Sequence, residues 1–586
     1  MSAFPFLLAQ NIKITNWLTP VWLISLGIAI GFILVLLMLA KIVFCQRISW
    51  LNSVTEKPGL RIGLGIVTSI AYLGMFLGFC YWRNGSEMFS DSSMVMPLGF
   101  AIPLSLLLGF GVWSLVAKRM QGETIGLFRE GFLGWINWIC VTMTLFALVG
   151  FGLAQVNGFG LLKFVDEPME MVSSLMRLPF TGEFKATKTI PPCKEGDMGT
   201  PVPVNFNGRE LQSLAMLSDR SLEMGAKPIM DIPVRERMDL PKSSEALVYR
   251  QRADGRGRIP LEDIENLYFA NYSKTDASLE LSWTIVPVNK EVVIVPMIAL
   301  AVVALYLFYL ILATMCPKVF AIAHSTFKTE VNQPLFLLVM VVGAVFVVGS
   351  IYVPYNTFGE DIKMYKDSGL TLIRVLAIFL AIWAASKSVA EEIEGRTALT
   401  VLSKPVGRRQ FIFGKFTGIA MAIGVMFLLL GLWFVIFTAY KPIYDFQEAS
   451  KGICEWPECF VESINVIPGI FLCFLEVLIF VAISVAISTR FGILANFLIC
   501  FAVYVLGHLT PLLVQSSLGA FETVVVFGQL IAIVFPVLNH FDIQAAINTN
   551  SAVPMAYIGW SIIYTGLYGS MAMLLALVLF EDRDLA

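Results

Sequence analysis

The stretch PVWLISLGIAIGFILVLLMLAKIV, residues 20–43, decides what kind of molecule this is. A helix needs about 20 consecutive apolar residues to cross the hydrocarbon core of a bilayer, and this run is long enough. A cleaved secretion signal would show a basic segment, a shorter apolar core and a small-residue cleavage site. This N-terminus lacks that pattern, so the run predicts a first membrane span. The surrounding composition agrees: the 586 residues are 57% hydrophobic and only 14% charged, with a mean hydropathy of +0.76. An average soluble domain is about 25% charged.

Outward from that run, the same length test predicts further spans near 61–81, 94–116, 133–155, 291–315, 335–354, 371–389, 413–438, 467–488, 492–514 and 556–580. Backbone groups cannot go unpaired in lipid, so these are helices. The run 521–538 contains Pro536 and is followed by Asn539, His540 and Asp542. It reads as a re-entrant or interfacial segment. The expected fold is an all-α polytopic membrane protein of about eleven transmembrane helices with an inserted extracytoplasmic β-rich domain.

Orientation follows from basic residues in short loops. One side carries Arg47, Lys57, Lys118, Arg119, Arg129, Lys318, Lys328, Arg396, Lys404, Arg408, Arg409, Lys415 and Arg490. With span ends and the tail this reaches roughly seventeen, against about seven on the other side. The N-terminus is thus expected outside and the C-terminus in the cytoplasm. The long polar segment 156–290 then lies outside. Its runs PVPVNF (201–206), ALVYRQ (246–251), NLYFANY (266–272) and SLELSWTIVPV (278–288) alternate like strands. They suit a small sandwich-like module, structural or for recognition, since no catalytic set clusters there. The domains are 1–155 with four spans, 156–290 with the β-rich module, 291–317 with the fifth span, and 318–586.

A net charge of −2 offers nothing to nucleic acid. The nine cysteines form no zinc-like CxxC pairs, and three scattered histidines make no metal site.

The most informative loop is SVAEEIEGRTALTVLSKPVGRRQFIFGKFTG, residues 388–418. It begins as the continuation of a membrane helix, with Glu391, Glu392 and Glu394 emerging into water. Gly395 weakens that helix by up to about 1 kcal/mol. Thr397 is placed to cap a new short helix carrying Leu399, Val401 and Leu402, and Pro405 ends it. Arg408 and Arg409 sit at the water interface before Gly414 and Lys415 lead into the next span. An ordinary basic loop would need the arginines but not the acidic start, the break and the short helix.

This stretch resembles the signature of ATP-binding-cassette type-2 exporter permeases, E-x-E-x-G-T-L-x-x-L-L-S-x-P-V-S-R-x-x-x-x-x-G-K. Glu392, Glu394, Thr397, Leu402, Ser403, Pro405, Val406, Arg408, Gly414 and Lys415 match it in order, while Arg396, Ala398 and Gly407 depart from it. The resemblance implies a coupling helix that docks on the ATPase. KVFAIAHSTFKTEVNQPLF (318–336) is similar to the family's elbow helix. Phe320, Ala323, Phe327 and Val331 give it one apolar face; Thr326 belongs to its A-x-x-T-F-x-E pattern, and Glu330 is expected away from the apolar face. The closing ALVLFEDRDLA is a partial match to the family's F-R-R-R-D-L ending. The resemblance covers about 318–586 and implies a bacterial inner-membrane permease subunit.

No G-x-x-x-x-G-K-[ST] phosphate loop exists in the chain. The chain is therefore expected to have no catalytic residues and to bind no cofactor directly. ATP-Mg would be used through a partner ATPase subunit, with two permeases and two ATPases as the economical assembly in membrane lipid. Two rivals stand beside this: an ion-coupled secondary transporter, and a non-transporting membrane scaffold subunit of an envelope or motility complex.

Three weaker features complete the sequence. Glu476 sits inside FLCFLEVLIFVAISVAIST (471–489), where an ionised carboxylate is costly. It is either a group on the translocation path or a locally satisfied residue at a helix interface, with Arg374 and His508 near the same depth as candidate partners. Cys454 and Cys459, in CEWPEC, fall in an external loop, where a disulfide, a metal pair and two plain thiols are all open. Met94, Met96, Met169 and Met171 form two M-x-M pairs; in a chain with 25 methionines chance explains them better than copper.

Overall fold

The computed structural model describes residues 16–45, 58–84, 105–106, 109, 131–155, 168–178, 182–194, 197–231, 237–242, 246–250, 259–353, 355, 357, 360–394, 407–450, 452, 454–516, 535–549 and 551–581. Three long helices come first: α1 (Leu18–Cys45), α2 (Pro58–Asn84) and α3 (Phe132–Gln155). Pro20 lies in the first turn of α1 and Pro58 opens α2, where a missing N–H costs nothing. Trp22 of α1 is buried and donates its indole N–H to the Ala147 carbonyl of α3 at 2.9 Å.

Residues 167–295 form a compact unit of their own. It contains α4 (Pro168–Arg177) and eight strands: β1 (Gly182–Ile190), β2 (Thr200–Asn207), β3 (Leu211–Ser218), β4 (Leu222–Gly225), β5 (Met238–Leu240), β6 (Leu247–Arg250), β7 (Asp263–Ala270) and β8 (Ala277–Ile285). Two antiparallel sheets, β1-β8-β3-β6 and β2-β7-β4-β5, bury one shared core that includes Leu214, Leu281, Phe269 and Met224. The four runs expected as strands are β2, β6, β7 and β8. The sequence reading missed β1, β3, β4 and β5. GEFKATKTI (β1) spreads lysines and threonines along an edge, and LQSLAMLS (β3) has a helix-former composition that sheet packing overrides.

The chain continues in α5 (Ile294–Met315), α6 (Pro317–Val331), α7 (Pro334–Gly349) and α8 (Asp361–Ala385). Next come a π-helical turn (Ser386–Ala390) and a helical turn (Glu391–Glu394), then α9 (Arg408–Glu448), α10 (Trp456–Ile464), α11 (Ile467–Ser488) and α12 (Ile493–Ser516). A short α13 (Gln544–Thr549) and α14 (Met555–Glu581) end the described chain. Among the described residues, eight helices are long and apolar enough to cross a membrane, and α2 and α12 carry shorter apolar stretches. The mostly helical chain with a small β region fits a multi-pass membrane protein. The expected span 94–116, apart from residues 105, 106 and 109, and the run 521–538, apart from 535–538, lie outside the described residues.

Two helices outrun their apolar cores. α8 begins at Asp361 rather than near 371, and α9 runs from Arg408 to Glu448 rather than over 413–438. Their polar extensions remain helical because buried ion pairs hold them. α8, α9 and α11 pack together, α6 lies on α9, and α14 lies on α11.

Candidate functional site

The contact of α6 with α9 is set by two glycines one turn apart. A Cβ on Gly414 would sit 2.6 Å from the Ile322 Cβ, and one on Gly418 2.6 Å from the Ala323 carbonyl oxygen. Only hydrogen fits at that spacing, so α6 rests directly on the α9 backbone. Ala323 and Thr326 are buried against it, while the buried rings of Phe320 and Phe327 meet Tyr309 of α5 and Phe132 of α3 edge-on. Glu330 corrects the sequence reading: it belongs to this face and is only 4% exposed. The reason is the helix repeat, since it follows Phe327 by three residues.

The Glu330 carboxylate accepts from Gln333 Nε2 at 2.8 Å, and Gln333 Oε1 accepts from Trp383 Nε1 of α8 at 3.2 Å. Burial pushes the Glu330 carboxyl up to about 8; the Lys415 and Lys387 ammonium groups act in the opposite direction. Lys415 Nζ lies 2.5 Å from Glu392 Oε1 and 5.5 Å above the Phe411 ring. Arg408 Nη1 donates to the Glu581 carbonyl of α14 at 2.8 Å. Glu391 and Arg409 are exposed. Thr397, Leu399, Leu402 and Pro405 lie outside the described residues, as does the side chain of Glu394.

Sequence reasoning missed the π-helical turn that precedes this loop. Asn496 Nδ2 of α12 lies within hydrogen-bond distance of the Ser386 (2.8 Å), Ser484 (2.7 Å) and Ser488 (2.9 Å) hydroxyls, its two N–H groups shared among the three, joining α12 to that turn and to α11. A lone asparagine in the apolar run of α12 was the available signal, but its three serine partners are too scattered to find by spacing. Such bulges occur mostly at functional sites.

Deeper in the bundle, the structure brings together Glu476 (α11), Arg374 (α8) and His508 (α12), which the sequence left as candidate partners. Arg374 Nη1 lies 3.4 Å from Glu476 Oε2 and 3.4 Å from His508 Nε2. His508 Nδ1 faces the Tyr504 carbonyl at 3.1 Å. A carbonyl only accepts, so Nδ1 carries the proton and Nε2 of the neutral ring accepts from Arg374. Glu476 Oε1, 3.8 Å from that same Nε2, finds no hydrogen-bond donor among the described residues. Glu476 is fully buried.

At the other end of α8 and α9 an open cavity of about 650 Å³ is lined by Asp361, Asp445, Glu448, Glu458 and Glu462. Two buried lysines lie at this end: Lys366 pairs with Glu462, and Lys441 holds Asp445 at 2.8 Å and the Ile351 carbonyl at 3.0 Å. The Asp361, Asp445 and Glu448 oxygens lie within 4.8 Å of one another. Asp361 already accepts from Thr357, and Asp445 is ion-paired with Lys441. Beside the cavity the Cys454 and Cys459 sulfurs are 3.6 Å apart as thiols. Met169 is exposed and Met171 buried on α4, so that pair does not share a face; Met94 and Met96 lie outside the described residues.

No protein-family model matches the chain, and no curated protein matches it.

Proposed function

We propose that the chain is the membrane subunit of an ATP-driven transporter of the ATP-binding-cassette type-2 exporter class, working with a cytoplasmic ATPase on a separate chain. One observation carries this reading. The glutamate that opens the 392–415 signature and the lysine that closes it are ion-paired, which brings the two ends of the motif together. The loop's approach through a π turn, and the seating of α6 on Gly414 and Gly418, support the same role. In this reading about eleven spans place the N-terminus outside, the C-terminus and the 391–409 loop in the cytoplasm, and the 167–295 unit outside an inner membrane. Two copies assemble with two ATPases. ATP-driven closure of the ATPases pushes the 397–404 segment, and the helices from 334 onward switch access to carry substrate outward.

The test is to purify the chain with its native partners from membranes. A protein with a phosphate-binding loop should accompany the wild type and be lost from Leu402→Ala and from Arg408→Glu/Arg409→Glu. ATP-driven transport in vesicles should fall in step. Unchanged co-purification and transport in those variants would sink the docking assignment.

The Arg374–Glu476–His508 cluster favours a second reading, an ion-coupled transporter, because a proton added to His508 would set an imidazolium 3.8 Å from the unbonded Glu476 Oε1. Transport that survives removal of the ATPase but collapses with the proton gradient would select it. No transport under either drive would leave the scaffold role.

A further inference from the structure

We propose that Cys454 and Cys459 are joined by a disulfide in the mature protein, and that the bond locks the α9–α10 junction on which the start of α1 rests. This rests on the outward placement of that junction given above.

The geometry comes first. The two sulfurs are 3.6 Å apart and both residues are buried. A bond length of about 2.05 Å is reached by small side-chain rotations when two sulfurs already face each other. They belong to a small apolar cluster with Ile443, Trp17 and Phe446. Asn16 Nδ2 donates to the Cys454 carbonyl at 2.7 Å, and the Trp17 ring meets Tyr440 edge-on at 5.6 Å. The backbone of Cys454 is therefore the seat on which the chain entering α1 rests. The segment carrying it is a turn with Gly452 at φ +99° and Ser450 at φ +51°. A bond from Cys454 to Cys459 would tie that seat directly to α10.

A bound metal fits less well. Two buried thiolates would need a compensating ligand set, and the third donor, Glu458, reaches only Cys454, at 3.2 Å. These three groups do not converge as ligands; among the described residues the converging set is Asp361, Asp445 and Glu448.

The chemistry balances without an outside cofactor. The two thiols lose two protons and two electrons as the S–S bond forms. The acceptor is the disulfide of a thiol oxidoreductase on the outer side. Its own S–S bond breaks through a mixed disulfide with one of the two cysteines, and it leaves as a dithiol carrying both protons and both electrons. Burial sets the order of events. In the folded chain the hydrogen bond that the Cys454 thiol donates to Cys459, together with burial, holds that thiol far above its ordinary range, which makes it a poor nucleophile. The exchange therefore belongs to the stage before α10 docks, and afterwards the bond is shielded from reductants.

The experiment uses full-length protein extracted without reductant and unfolded in the presence of a maleimide of added mass. Two thiols should escape labelling until reductant is added, and the Cys454→Ser/Cys459→Ser variant should lose that difference. The Cys454→Ser/Cys459→Ser variant should melt several degrees below the wild type. Equal labelling of the wild type with and without reductant overturns the disulfide. So does zinc bound one-to-one by the wild type and absent from the variant. A Gln447→Cys chain separates the two failures. If intact cells take up extra membrane-impermeant maleimide at that position and the disulfide is still missing, the staple is wrong while the orientation stands. If the extra label appears only after the cells are opened, the orientation itself is wrong.

Discussion

Two regions of the helical bundle treat buried charge in opposite ways. At both ends of the α8–α9 pair the lysine is the buried partner and the carboxylate reaches water. Lys366 is 1% exposed against 16% for Glu462, Lys441 1% against 24% for Asp445, and Lys415 7% against 34% for Glu392. In the middle the order inverts: Glu476 is fully buried, with Arg374 at 7%. A lysine stem lies comfortably along apolar surface while its ammonium reaches the rim. A mid-bundle carboxylate has a short stem and no rim to reach, so it depends on what other helices bring to it. The end pairs therefore serve as tethers. The central pair is held only while α8, α11 and α12 keep their present arrangement.

Breaking the central pair should cost most. Arg374→Ala strands a fully buried carboxylate and should destabilise the protein by about 3–5 kcal/mol, read as a fall in melting temperature in detergent. Adding Glu476→Gln should recover most of the loss, and an unaltered melting point in Arg374→Ala would remove the distinction drawn above.

Glu330 sharpens the comparison, because it is a deep carboxylate at the loop end without an ion pair of its own. Its folded value, about 8, lies above the ordinary 4.5. The unfolded chain therefore releases this proton more readily, and stability present below about pH 4.5 is lost as pH rises through about 8. Glu330→Gln should be more stable than wild type by roughly 2–4 kcal/mol near pH 9, with the difference vanishing near pH 4. Melting curves across that range check the sign.

Glu462→Ala leaves Lys366 buried and uncompensated, for an expected loss of about 2–3 kcal/mol. Water can reach the vacated site, which keeps the effect below that of Arg374→Ala. Pairing the change with Lys366→Met should return stability close to wild type in the same assay.

Gly418→Leu should cost roughly 1–3 kcal/mol by overpacking the α6–α9 contact. Hydrogen exchange should quicken along α6 more than elsewhere. If exchange rises equally throughout the bundle, α6 is not a separately seated element.

The membrane helices were legible because the hydrocarbon length test is local. The expected 467–488 is matched by α11 to the residue, and 556–580 by α14 to within one residue at each end. Helix α6 was legible through the three-and-four spacing of Phe320, Ala323 and Phe327, and the same spacing should have carried Glu330 onto the buried side. In the candidate site, Glu392 and Lys415 could be picked from their motif. Their contact could not, because they are separated by a loop of unspecified path. The strands β1 and β3 escaped for a different reason: their residues favour an edge or a helix, and cross-strand neighbours such as Trp283 opposite Phe184 and Leu214 decide otherwise.

By itself the sequence determined that this is a multi-pass helical membrane protein and the position of most of its helices, all from properties that act within a few turns of chain. Only the tertiary structure decided that Arg374, Glu476 and His508 meet, that Asn496 grips three serines, and that Cys454 faces Cys459 under the start of α1. The physical reason is that a buried polar group must find its complement somewhere. Nothing in local periodicity says which distant helix will supply it.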